Sequence, residues 1–61
     1  MNGKMVVTVG ENTKPQGSGF AVETYTPEGI RTTESRWTTR ERAIAEGRKL
    51  AAEIDANLCI Y

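Results

Sequence analysis

The chain has no histidine. That absence removes the commonest general base and the commonest metal ligand from the side chains on offer. Cysteine is almost as scarce. Cys59 stands alone, so no disulfide can close within the chain, and a lone thiol fits a reducing compartment. A cytoplasmic setting follows as the expectation. A zinc site would need Cys59 plus carboxylates, and a nucleophilic Cys59 would have no histidine to activate it. Neither metal, cofactor nor enzymatic activity is therefore expected. No apolar run approaches the length of a membrane span or of a signal-peptide core. Net charge is missing as well: eight Lys and Arg balance eight Asp and Glu. The chain as a whole exerts no electrostatic pull on nucleic acid. There are no internal repeats and no dividing linker, which leaves one small domain over residues 1–61. A domain of this size buries only roughly 60% of its unfolded surface, so a partner or a second copy would add welcome burial.

What is present is a run of strand signals followed by one helix signal. "MVVTV", Met5 to Val9, is apolar and β-branched and reads as a first strand. "GENTKPQGSG", Gly10 to Gly19, reads as a flexible loop. Its "TKPQGSG" portion has the look of a phosphate-binding loop. It lacks the Gly-Lys-Ser/Thr ending, however, and it leads into a strand rather than a helix. "FAVETYT", Phe20 to Thr26, alternates, with Phe20, Val22 and Thr24 on one face and Ala21, Glu23 and Tyr25 on the other. "TPEG", Thr26 to Gly29, has the pattern of a type I turn. "IRTTESRW", Ile30 to Trp37, is polar on both faces, which suits a return strand at a sheet edge.

The helix begins with a candidate capping box, Thr38 followed by Glu41, and runs to about Asp55. Ala43, Gly47, Leu50 and Ile54, flanked by Ile44 and Ala51, form one apolar stripe. Gly47 costs about 1 kcal/mol against alanine in mid-helix, which close approach to a sheet would explain. "NLCIY", Asn57 to Tyr61, reads as a last strand with Leu58 and Ile60 inward and Cys59 and Tyr61 outward.

The implied fold is α+β, in βββαβ order: a three- to four-stranded sheet with one helix packed on one face. A crossover from the third strand through the helix suits a parallel pairing with the fourth. The expected core is Val7, Val9, Phe20, Val22, Ile30, Trp37, Ile44, Leu50, Ile54, Leu58 and Ile60. Trp37 is expected to close that core at the strand-to-helix corner.

The stretch "GFAVETY … RTTESRWTTRERAIAEGRKLAAEIDANLCI" resembles a small uncharacterised bacterial and phage domain family. The likeness rests on Phe20 and Val22, then Thr38, Glu41 and Ala43, then Leu50 and Ala51, then Leu58 and Ile60. It covers about two-thirds of the chain and falls on core and capping positions, so it implies the fold and not a function. The three-strand-plus-helix arm-binding domains of phage integrases are similar in layout but more basic. Phage-encoded inhibitors, anti-CRISPR proteins among them, are similar in size and style.

Two surfaces are candidates for function. Between Arg31 and Lys49 six cations face three acids. Arg36, Arg40 and Arg42 gather near the helix start, where the macrodipole disfavours cations, while Glu53 and Asp55 sit near its end. The bland reading is a solvated helix face laced by Arg42–Glu46 and Lys49–Glu53 pairs. The functional reading is a patch that meets acidic groups on a partner. The outer sheet face should show Tyr25, Arg31, Thr33 and Tyr61, an aromatic and arginine mixture found at protein interfaces and on base-stacking platforms. Ordinary strand propensity also yields such a face. The expectation is a small non-enzymatic protein-interaction module, phage-derived or accessory in kind. It would bind or self-associate through Tyr25, Arg31, Arg36, Arg40, Arg42 and Tyr61. Nucleic-acid binding by the same face is the alternative.

Overall fold

Among the described residues five elements account for the architecture, and each forms where the residue pattern asks for it. A computed structural model describes residues 4–11 and 19–61. Most of the glycine-rich loop, including nearly all of the phosphate-loop-like stretch, lies outside the described residues. Strand β1 runs Val6–Glu11, β2 Phe20–Tyr25 and β3 Arg31–Trp37. Helix α1 runs Arg40–Ile54 and strand β4 Asn57–Ile60. The sheet is mixed, in the order β3-β2-β1-β4, with β1–β2 and β2–β3 antiparallel and β1–β4 parallel. The fold is thus α+β in βββαβ order, with one helix across one face.

The crossover expectation needs a correction. β3 and β4 do run in the same direction, but they do not pair: β4 adds to β1, on the far side of the sheet from β3. The reason lies in composition. β1, "VVTVGE", is apolar on its inner face and gains from a neighbour on each side, whereas polar β3 is suited to an edge.

The β2–β3 hairpin closes over Pro27, Glu28 and Gly29. The Gly29 N–H donates to the Thr26 carbonyl at 2.8 Å, and Gly29 takes φ +95°, a conformation that side chains resist. The Thr26 hydroxyl accepts from the Ile30 N–H at 3.0 Å. Further along, the register slips by one: Val22 faces Ser35 and Glu23 faces Thr33, leaving Glu34 as a β-bulge. The slip changes the phase of β3. Arg31 and Thr33 lie on one face of the sheet. Strict alternation would put Trp37 there too; the bulge turns Trp37 to the helix side and Arg36 to the outer face.

The core is the layer between α1 and the sheet. Val7, Val9 and Val22 are fully buried, worth roughly 1.5–3 kcal/mol each. Ala43 and Ala51 meet them from the helix, and Phe20, Trp37, Ile44, Leu50, Leu58 and Ile60 pack around them half-buried. Gly47 explains the choice of small helix residues. A β-carbon there would collide with Cγ2 of Val9 and touch Leu58, so the glycine sets how near the helix lies. Two expected core residues are not in it. Ile30 is 63% exposed and Ile54 39%. Ile30 falls between the turn and β3, and Ile54 is the last helical residue, past the end of the layer it would have to reach.

The capping expectation also shifts by one residue. The N-cap is Thr39, not Thr38: its backbone is extended (φ −123°, ψ 148°) and its hydroxyl accepts from the Arg42 N–H at 3.3 Å. Two threonines in a row offer the same chemistry. With Thr39 as cap the third helical residue is Arg42, so the reciprocal glutamate contact of a capping box does not form. Glu41 still sits in the first turn, where the helix dipole favours it. At the other end Asp55 adopts the left-handed conformation (φ 54°, ψ 50°), and the amides of Asp55 and Ala56 both close on the Ala51 carbonyl.

Candidate functional site

The antiparallel register builds the outer sheet face in rows. Tyr25 stands opposite Arg31 on β3 and Val6 on β1. Glu23 stands opposite Thr33 and Thr8, and Ala21 opposite Arg36 and Gly10. β4 completes two of these rows, with Asn57 beside Val6 and Cys59 beside Thr8. Tyr61 follows, its N–H donating to the Val9 carbonyl at 2.8 Å.

The face is concave. Thr8, Gly10 and Ala21 form a floor of small side chains, and Thr8 and Ala21 are themselves buried. Tyr61, Tyr25, Arg31, Glu11 and Glu23 line the depression around that floor, with Tyr61 and Glu11 near Gly10 and Tyr25 and Arg31 in the row at Val6. The depression holds about 340 Å³. Its shape comes from Gly10: the Tyr61 ring and β-carbon lie 3.5–3.6 Å from where a Gly10 β-carbon would be, so the tyrosine leans over the glycine. Tyr61 nevertheless remains 75% exposed. Its phenol pKa is raised above the ordinary value, chiefly by a side-chain hydrogen bond with Cys59, with smaller contributions from the charge of that thiol, from desolvation and from Tyr25. On the opposite side of the depression the Thr33 hydroxyl donates to Glu23 at 3.1 Å, which holds that carboxylate against β3.

Of the six residues singled out from sequence, this face gathers Tyr25, Arg31 and Tyr61, and register places Arg36 on the same side. Arg40 and Arg42 are elsewhere, and both have partners inside the molecule. Arg40 donates from Nη2 to the Tyr61 main-chain oxygen at 3.2 Å, tying the first turn of α1 to the end of β4. The Arg42 guanidinium lies 5.0 Å from the centroid of the Trp37 ring, a cation–π distance. Those contacts give two cations at an unfavourable helix end a structural reason to be there. The i,i+4 pairs expected on the helix, Arg42–Glu46 and Lys49–Glu53, are not closed among the described residues; an ion pair joins Lys4 to Asp55 at 3.4 Å on the exposed surface.

Trp37 sits half-buried against the core at the strand-to-helix corner, its indole N–H donating to the Ser35 hydroxyl at 2.8 Å. A second depression lies on the helix side, between β3 and α1, lined by Val22, Glu34, Ser35, Glu46, Lys49, Leu50 and Glu53. Strict alternation from Arg31 hides it, because Ser35 turns to this side only through the bulge. There the Glu34 carboxylate accepts from the buried Thr24 hydroxyl at 2.9 Å. No three carboxylates or thiols among the described residues are grouped to hold a metal ion. No helix among them is long and apolar enough to cross a membrane. Comparison with protein-family models, with curated proteins and with solved structures finds no match.

Proposed function

We propose that the protein is a small non-enzymatic interaction module that binds another protein through the outer face of its sheet. The observation that carries this reading is the concave face itself: a floor of Thr8, Gly10 and Ala21 beneath Tyr25, Tyr61 and Arg31. Tyrosine and arginine supply large contact area around a polar site, as at the centres of protein interfaces. Glu11 and Glu23 share the depression with Arg31, so a phosphate backbone would meet acid as well as base there, and this favours a protein over a nucleic acid. Arg36 extends the face along β3. Arg40 and Arg42 enter the proposal only as supports, the first for Tyr61 and the second for Trp37. A cytoplasmic setting and an accessory or phage-derived role belong to the same proposal, as does membership of the small bacterial domain family that the core positions resemble.

The test is affinity capture from host lysate with the wild-type chain and a Tyr25→Ala/Arg31→Glu/Tyr61→Ala variant, each with and without nuclease. Partners retained by the wild type after nuclease and lost by the folded variant are the expected result. Equal capture by both chains refutes the surface. Capture that disappears with nuclease, and that weakens steeply as salt rises, replaces the protein partner with a nucleic acid.

A further inference from the structure

Among the described residues, β4 is a sheet edge without a guard. Asn57, Leu58, Cys59, Ile60 and Tyr61 include no Lys, Arg, Asp or Glu. The opposite edge, β3, carries Arg31, Glu34 and Arg36 and is interrupted by a bulge, both devices that discourage edge pairing. β4 has neither, and among the described strands only β1 pairs with it.

The main-chain groups of the open side can be assigned. In the parallel ladder the Asn57 N–H donates to the Met5 carbonyl at 3.1 Å and the Tyr61 N–H to the Val9 carbonyl at 2.8 Å. A parallel ladder engages alternate residues of the strand. Asn57, Cys59 and Tyr61 are therefore turned toward β1, and the N–H and C=O of Leu58 and Ile60 point to the open side. We propose that this edge pairs antiparallel with β4 of a second copy of the chain, about a two-fold axis at Cys59.

The register follows from parity and length. An odd shift would set outward groups of one strand against inward groups of the other and leave both unpaired. Among the even registers, the one centred on Cys59 pairs the whole segment: Asn57 with Tyr61, Leu58 with Ile60, Cys59 with itself. Every outward N–H and C=O of Leu58 and Ile60 then finds a partner. The occupant is a second copy because the edge is complementary to itself. No charge meets its like at the axis, and no charged side chain on the strand selects a different partner. Leu58 and Ile60 are half-buried on the helix side and lie opposite each other across the axis, so the pairing continues the apolar layer. The interface is isologous and joins two sheets into one. The main-chain pairing is a contact distinct from the outer-face depression, although Tyr61 stands in both.

Sedimentation equilibrium of the full chain over a concentration series is the first test, with twice the 6.7 kDa chain mass expected. Oxidation of the wild type with copper phenanthroline is the second. A non-hydrogen-bonded antiparallel pair holds its α-carbons about 4.5 Å apart, inside the disulfide range, so Cys59 cross-links to Cys59 of the second copy. Cys59→Ser keeps the dimer and loses the cross-link. Cys59→Lys places like charges across the axis and raises the dissociation constant roughly 100-fold, with an unchanged circular dichroism spectrum. A single-chain mass at every concentration overturns the proposal. So does a dimer that does not cross-link through Cys59, or one that persists in folded Cys59→Lys. If Cys59→Lys fails to fold, the mass and cross-linking of the wild type decide.

Discussion

The two edge strands stand in the same sheet and are built on opposite terms. One cross-strand row on the inner face makes the contrast plain: Thr32, Thr24, Val7 and Leu58, read from β3 to β4. At one end is an exposed threonine, at the other a leucine packed on the core. α1 lies mainly over β1 and β2 and reaches β4 through Gly47, which nearly touches Leu58 as well as Val9. β3 runs out from under it and meets the core chiefly through Trp37. An edge strand need not be amphipathic; it must match what covers it.

The largest effect comes from lifting the helix off the β1–β4 side. Gly47→Val forces three carbons into a space that cannot hold one and costs about 3 kcal/mol. That is a large part of the total for 61 residues, at roughly 0.05–0.15 kcal/mol per residue. Urea denaturation should show a chain near its unfolding midpoint in buffer. Gly47→Ala gains about 1 kcal/mol of helix propensity and still loses to the collision with Val9. A neutral Gly47→Ala would mean that the helix sits further from β1 than described.

The two ends of the inner row give the next contrast. Leu58→Ala removes a half-buried side chain and costs about 2 kcal/mol, the low end for leucine in a core. Thr32→Ala, at the other end, stays within roughly 0.5 kcal/mol. Matched urea curves decide this. Equal losses would mean that α1 covers both edges alike.

Much of this asymmetry was legible in the sequence. The mixed polarity of "RTTESRW" marks an edge, and "NLCIY" alternates as a core strand does. Gly47 in the apolar stripe signalled close approach of the helix. Three things were not legible, each for a physical reason. Strand order was one: parallel pairing of β4 with β1 depends on where the crossover lands, and nothing local encodes it. The bulge at Glu34 was another, since a phase change in a strand polar on both faces leaves no break in the pattern. The cap was the third, because Thr38 and Thr39 carry the same hydroxyl one residue apart. Ile30 and Ile54 were misplaced because apolar character was read without position along the element; both fall at ends. Of the candidate site, Tyr25, Arg31 and Tyr61 were found by alternation alone. Arg40 and Arg42 stand out in the sequence as unexplained charge because their intramolecular partners, the Tyr61 main-chain oxygen and the Trp37 ring, are a main-chain group and an uncharged ring.

The cap separates the two threonines at the corner where β3 hands the chain to α1. Thr39→Ala removes the acceptor for the Arg42 N–H and costs about 1 kcal/mol. Thr38→Ala, one residue earlier and exposed, costs less than about 0.5 kcal/mol. The reverse order, measured by thermal melting, would restore Thr38 as the cap.

The smallest effect tests the outer side of the β4 edge. Tyr61 and Cys59 are neighbours there, and their hydrogen bond is the leading cause of the raised phenol pKa. The sign follows from linkage: a folded-state pKa above the unfolded one favours the protonated phenol in the native state. The contribution is therefore fully present below the ordinary tyrosine pKa of about 10, and it fades as pH rises through the elevated value. Because Tyr61 is exposed, solvent screens the effect, and it should appear in a titration before it appears in a melting curve. Ultraviolet titration of the phenolate band in Cys59→Ala is the measurement, at a concentration that keeps the chain monomeric. The Tyr61 transition should move down toward the ordinary value. If it stays, desolvation and Tyr25 hold the phenol instead, and the contact that distinguishes this edge from β3 lies in the lean of Tyr61 over Gly10 rather than in its thiol neighbour.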